Sequence, residues 1–98
     1  MASVTGLNQS APPTSVIGSG EIDLVESYTH HKITVRGSSA INIKFMPHGQ
    51  EDYDEWSDES EGLIAQNSSD VFLTGPAKKM SVTTAVPGET VQVKVLSW

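Results

Sequence analysis

What most constrains this chain is strict alternation of apolar and polar residues, and it occurs twice. Residues 31–46 read HKITVRGSSAINIKFM. Successive side chains of a strand point to opposite faces, so Ile33 and Val35 share one face of a first strand. Ile41, Ile43 and Phe45 share one face of a second. Gly37, Ser38 and Ser39 interrupt the pattern as a three-residue loop. A hairpin through that loop sets Val35 opposite Ile41, Ile33 opposite Ile43 and His31 opposite Phe45, so the apolar faces coincide. Residues 80–98 repeat the arrangement. Pro87 and Gly88 suit a type II turn, because proline presets φ at the second position and glycine accepts positive φ at the third. Pairing Val86 with Glu89 brings Thr84, Val82 and Met80 opposite Val91, Val93 and Val95, and leaves Lys94, Gln92 and Thr90 on the outer face.

The rest of the chain fits around these segments. EIDLVESY, residues 21–28, reads as a strand in which Ile22 and Leu24 share a face and Val25 breaks the alternation. Pro47, His48, Gly49 and Gln50 form a turn, and residues 63–65 and 71–73 are short apolar runs, the second closed by Gly75 and Pro76. No helical periodicity of useful length occurs. Short strands separated by frequent turn signals predict an all-β fold, a single small antiparallel β-sandwich or barrel over residues 21–98. Residues 1–20, rich in Gly, Ser, Asn and Thr around Pro12 and Pro13, predict an extended N-terminal arm. That arm is either a disordered terminus or a segment that orders on a neighbouring subunit, with Val16 and Ile17 as its anchor.

Composition narrows the functions. With 98 residues there is room for one core, and 37% hydrophobic residues suit a folded chain. The chain has no cysteine. That excludes disulfides, thiolate metal sites and cysteine nucleophiles, and a small domain without them often gains stability by oligomerising. No apolar run approaches a membrane span, and the first residues have neither a basic start nor an apolar stretch, so no leader is expected. The net charge of −6 is unevenly placed. Glu51, Asp52, Asp54, Glu55, Asp58, Glu59 and Glu61 crowd one segment without a Lys or Arg, while the remaining five carboxylates face six cations. Such a segment argues against nucleic acid as a partner.

The acidic segment, DYDEWSDESEG, invites a calcium hypothesis that its spacing does not support. An EF-hand loop needs oxygen ligands at positions one, three and five and glycine at six. Counted from Asp52, position five is Trp56; counted from Asp54, position three is Trp56. No metal site and no cofactor is expected. His30 and His31 are adjacent and would point to opposite faces of a strand, so they do not form a ligand pair. No serine lies in a nucleophile motif and no glycine-rich loop precedes a helix, so no catalytic residue is assigned. Tyr53 and Trp56 mean the acidic segment is not purely solvated: it is a short strand carrying them or a loop pinned by them. In the first hairpin Lys32 falls opposite Lys44 on the outer face, an unfavourable pairing unless solvent or acid answers it. The acidic segment is the dense source of acid, from the same chain or from a second copy.

One stylistic likeness adds to these readings. A polar arm, then HHKITVRG, then VFLTGPAKKMSVTTA, then a valine-alternating end at VKVLSW resembles the small all-β structural proteins of tailed bacteriophage virions, over residues 28–98. The resemblance implies a non-catalytic virion protein, often trimeric, that decorates a capsid or sits at the neck or tail. It implies contact with copies of itself and with the major capsid protein or another virion protein, and a place in the virion after synthesis in the host cytoplasm. The residues expected to meet partners are Val16, Ile17, Lys32, Lys44, Tyr53, Trp56 and the terminal Trp98. A second expectation, from another class, is a monomeric module for carbohydrate or a cation, with Tyr53 and Trp56 open to stack on a sugar.

Overall fold

In the computed structural model, which describes residues 9–10 and 14–98, the alternating segments form strands of two antiparallel sheets packed face to face. The first sheet holds β1 (Gln9–Ser10) and β2 (Thr14–Ile17) along one edge of β9 (Thr90–Ser97), then β4 (His30–Gly37), then β7 (Ser69–Leu73). The second runs β3 (Ser19–Asp23), β8 (Ala77–Thr84), β5 (Ile41–Pro47), β6 (Leu63–Ile64). A short 3-10 turn, Glu59–Gly62, leads into β6. This is an open sandwich and not a closed barrel.

The inward faces are those the alternation predicts. Ile33 and Val35 of β4 and Val91, Val93 and Val95 of β9 meet Ile41, Ile43 and Phe45 of β5 and Met80 and Val82 of β8, all buried. Each such side chain contributes about 1.5–3 kcal/mol by leaving water. The pairing differs from expectation. β4 and β5 are not a hairpin: they lie in opposite sheets, and so do β8 and β9. β4 pairs with β9 and β7, whereas β5 pairs with β8 and β6. Lys32 therefore stands beside Val71 and Leu96, and Lys44 beside Ser81 on the other sheet, so the expected Lys32/Lys44 pair does not form. The physical reason is that alternation specifies which side chains face inward. It does not distinguish a partner lying alongside from one lying across the core.

Residues 14–17 and 19–20, read from sequence as the end of the arm, are strand: β2 pairs with β9 and β3 with β8. Val16 lies in the core of its own chain. Residues 1–8 and 11–13 of the expected arm lie outside the described residues. The strand read over 21–28 ends at Asp23, and a turn closed by Tyr28 N–H to the Val25 carbonyl follows.

Four crossings between the sheets gather at one end of the sandwich: β2 to β3 through Gly18, β4 to β5, β6 to β7, and β8 to β9. Backbone hydrogen bonds stitch them together, from Ala85 N–H to Ala40 O at 2.9 Å and from Gly18 N–H to Glu89 O at 3.0 Å. The buried Ser39 hydroxyl accepts Val86 N–H at 3.1 Å and donates to Ala40 O at 2.7 Å. The turn at Pro87 and Gly88 has the predicted geometry, with φ of +80° at Gly88 and Glu89 N–H reaching Val86 O. It turns a corner between sheets instead of joining neighbours in one.

At the opposite end His31 is fully buried. Its ring stacks on Phe45 at 5.8 Å, the neighbour expected for it, reached across the core. Its Nδ1 lies 2.7 Å from the Ser97 hydroxyl, and Nε2 has no partner among the described residues. Burial, aided by the nearby His30, pulls the His31 pKa below its ordinary 6.5.

Two outcomes test this packing. Ser39→Ala leaves Val86 N–H without its acceptor and costs about 1 kcal/mol in urea unfolding with an unchanged m-value. The His31 contribution has the sign of a depressed base. It is complete above pH 6.5 and is lost as pH falls from there toward the lower folded-state pKa, because the unfolded chain takes up the proton first. Stability measured between pH 7 and 5 falls more steeply in the wild type than in His31→Gln, by at most about 1.4 kcal/mol per pH unit.

Candidate functional site

The acidic segment is a loop along the β5 edge of the second sheet, where Asp54 N–H donates to the Phe45 carbonyl at 2.9 Å, and three kinds of side-chain contact hold it. The first is aromatic. Trp56 packs against the core, its ring 6.3 Å from Phe45 and 6.0 Å from Phe72, and its indole N–H donates to the Ile43 carbonyl at 2.6 Å. Gly62 permits this approach: a Cβ there would overlap the indole nitrogen and the Ile43 oxygen. The second is a cap. Asp58 accepts Ser60 N–H at 3.0 Å while Glu61 accepts Asp58 N–H at 2.9 Å, a reciprocal capping box for the 3-10 turn. The bonds from Ser60, its backbone first, draw the Asp58 carboxyl below its usual range. The third is electrostatic. Lys44 Nζ meets Glu55 Oε2 at 2.7 Å, an exposed pair worth at most about 1 kcal/mol. The Tyr53 hydroxyl reaches across the sheet to the Glu21 carboxylate. Partial burial, and then that carboxylate, push the Tyr53 phenol above its ordinary pKa.

Between the loop and the sheet runs an open groove of about 510 Å³ lined by Asn42, Lys44, Asp52, Tyr53, Glu55, Ser81 and Thr83. A smaller cleft of about 220 Å³ lies at the loop's other margin, between Trp56 and Leu73. Among the described residues no three of His, Asp and Glu converge on a point that would hold a metal ion. His48 pairs with Glu26, and His30 stacks on Trp98 at 5.4 Å.

The structure thus brings Lys44, Tyr53 and Trp56 together and separates the other sequence candidates from them. Val16 is buried; Ile17, next to it, is 70% exposed on the outer face of the first sheet. Lys32 occupies the same outer face. Trp98 neither closes the core nor stands free: it exchanges backbone hydrogen bonds with His30 and lies over its ring. Sequence reading passed over Glu21, Gly62, Val71 and Leu73. Leu73 and Val71 alternate with the inward Phe72, so that signal was present; the Glu21–Tyr53 contact joins elements 32 residues apart and has no local signal.

An open two-sheet β-sandwich with one charged loop pinned beside a sheet is the class these features define. No family model and no curated protein matches the sequence. Among solved structures, the fold is similar to that of the SPBc2 prophage-derived protein YomS, with a TM-score of 0.60 at 12% identity, covering 92% of this chain and 91% of that one. It is also similar to a chain from Bacillus endospore appendages, described as a family of disulfide-linked pili, with a TM-score of 0.57 at 13% identity over 93% and 85% of the two chains. The Aeromonas hydrophila periplasmic inhibitor of g-type lysozyme, PliG, matches at a TM-score of 0.47 and 14% identity, over 92% and 83%. At these identities the first two likenesses show a shared fold and nothing finer.

Gly62→Ala tests how the loop is held. The added methyl displaces the Trp56 indole, and the expected cost is about 1–3 kcal/mol in chemical denaturation, with a red shift of tryptophan emission in the folded state.

Proposed function

We propose that this chain is a non-catalytic structural subunit of a tailed-phage virion, a capsid decoration subunit that acts as a trimer. The observation that carries the reading is the placement of Trp56. In an assembly protein the aromatic residues of the acidic segment are committed to packing, whereas in a sugar-binding module they stand open. Trp56 packs against Phe45 and Phe72 with its N–H bonded to Ile43, and the Tyr53 hydroxyl is bonded to Glu21. The Trp56 indole is thereby committed to packing, while the half-buried Tyr53 is tied at its hydroxyl beside the groove. Outward, the first sheet presents exposed Ile17, Val71 and Leu73, apolar side chains of the type that meets another protein. The fold shared with a prophage-derived protein agrees with this reading.

The polar groove over Asn42, Lys44, Ser81 and Thr83 favours a second reading, a monomeric module for a polar ligand such as a carbohydrate. In that case oligosaccharide titration perturbs Tyr53 and Trp56 fluorescence, and the protein stays at its monomer mass of 10.5 kDa.

The first reading is tested on particles. In a gradient of particles from cells that produce both this chain and its phage, the chain sediments with the capsids at fixed stoichiometry. Recovery confined to the unsedimented fraction would overturn it.

A further inference from the structure

One outer face of this chain carries a cluster of cations. On the outer face of the first sheet Lys32, Arg36 and Lys94 are exposed, and among the described residues none has a carboxylate within ion-pair distance. Register makes them one patch. Lys32 lies beside Val71 and Leu96, Thr34 beside Lys94 in the next row, and Arg36 beside Gln92 in the row after. Lys32 and Lys94 are therefore diagonal neighbours of like charge, an arrangement that an anion laid over them would relieve. Next to them Val71 and Leu73 stand 57% and 74% exposed.

The loop beside the second sheet carries the opposite sign. Glu55 is engaged by Lys44, and Asp58 and Glu61 close the cap. Glu51, Asp52, Asp54 and Glu59 are exposed and, among the described residues, have no side-chain partner. Leu63, 43% exposed, follows them and supplies an apolar neighbour.

We propose that the basic outer face of the first sheet binds the acidic loop of a second copy of this chain. The inference rests on the structural-subunit reading and names the contact through which copies would assemble. Charge complementarity selects the occupant. The patch is basic, and a second copy brings a dense acidic segment oriented by its own cap and followed by an exposed leucine to meet Val71 and Leu73. The two surfaces belong to different sheets, so the contact is heterologous: each copy offers its basic face to one neighbour and its acidic loop to another. Closure after three copies gives the proposed trimer, and a series that does not close gives an open row.

Light scattering on the full chain, at about 20 mM and about 500 mM salt, tests the contact, since ions screen exposed charges. The wild type is expected to exceed its monomer mass at low salt and to approach 10.5 kDa at high salt. The pair Lys32→Glu and Lys94→Glu stays monomeric at low salt, and so does the pair Asp52→Lys and Glu59→Lys. Combining all four substitutions restores the net charge of −6 and the wild-type mass. Thermal unfolding of each variant checks that it is folded. A wild type that is monomeric at both salts overturns the proposal, as does either pair that keeps the wild-type mass, or a fourfold variant that remains monomeric. A monomeric wild type that sediments with phosphatidylserine vesicles would place a membrane on the basic face and also overturns it. Failure here with the chain still found on particles refutes the contact alone; self-association by this contact with no chain on particles refutes the virion reading alone.

Discussion

The structure depends on two apolar faces burying one another while the chain is carried from one sheet to the other at the same corner. Each strand is short, and neither sheet has a second layer of its own to cover its valines and isoleucines. Mutual coverage is the way these faces leave water. The crossings must then pass close together, and that concentrates backbone polar groups where solvent is scarce. Ser39 answers this by accepting one amide and donating to one carbonyl from a buried position. The Thr84 hydroxyl, also buried, donates to the Val86 carbonyl at 2.7 Å. Small hydroxyl side chains at this corner take the place of ladder hydrogen bonds that strands changing sheets give up.

The other end is closed by rings instead of hydroxyls. Phe45 and Trp56 from one side and His31 and Phe72 from the other form a chain of ring contacts that bridges both sheets. Burial disfavours the charged form of this histidine, and its hydrogen bond with Ser97 ties β4 to the end of β9. The same cluster fixes the acidic loop, because Trp56 is the residue through which that loop joins the core. Seven carboxylates in eleven residues repel one another, yet the segment has a defined course. Its order comes from an indole anchored under a glycine and from a capping box, with the exposed ion pair adding little. Rigid placement of the loop is what turns local acidity into a face of defined sign.

The all-β class and the core were legible in the sequence, since Ile33, Val35, Ile41, Ile43, Phe45, Met80, Val82, Val91, Val93 and Val95 announce their inward direction by a period of two. So was the turn at Pro87 and Gly88, which rests on local backbone preference alone. The nearness of His31 to Phe45 was also legible, although the route to it was misread as a hairpin. Acid meeting Lys44 was foreseen, and Glu55 supplies it; acid meeting Lys32 on the same face was also expected and does not occur among the described residues, because it rested on a register between strands of different sheets.

What the sequence determined by itself was therefore the set of buried faces, the turns, and an acidic segment set apart from a near-neutral body. The tertiary structure alone decided which strands pair, and with that the distribution of charge. A strand's amide and carbonyl groups are the same whichever neighbour they bond, so side-chain alternation carries no preference between β5 and β9 as the partner of β4. Once β4 pairs with β9, that choice of neighbour sets Lys32 and Lys94 on one outer face and the acidic loop beside the other sheet, where Lys44 meets it.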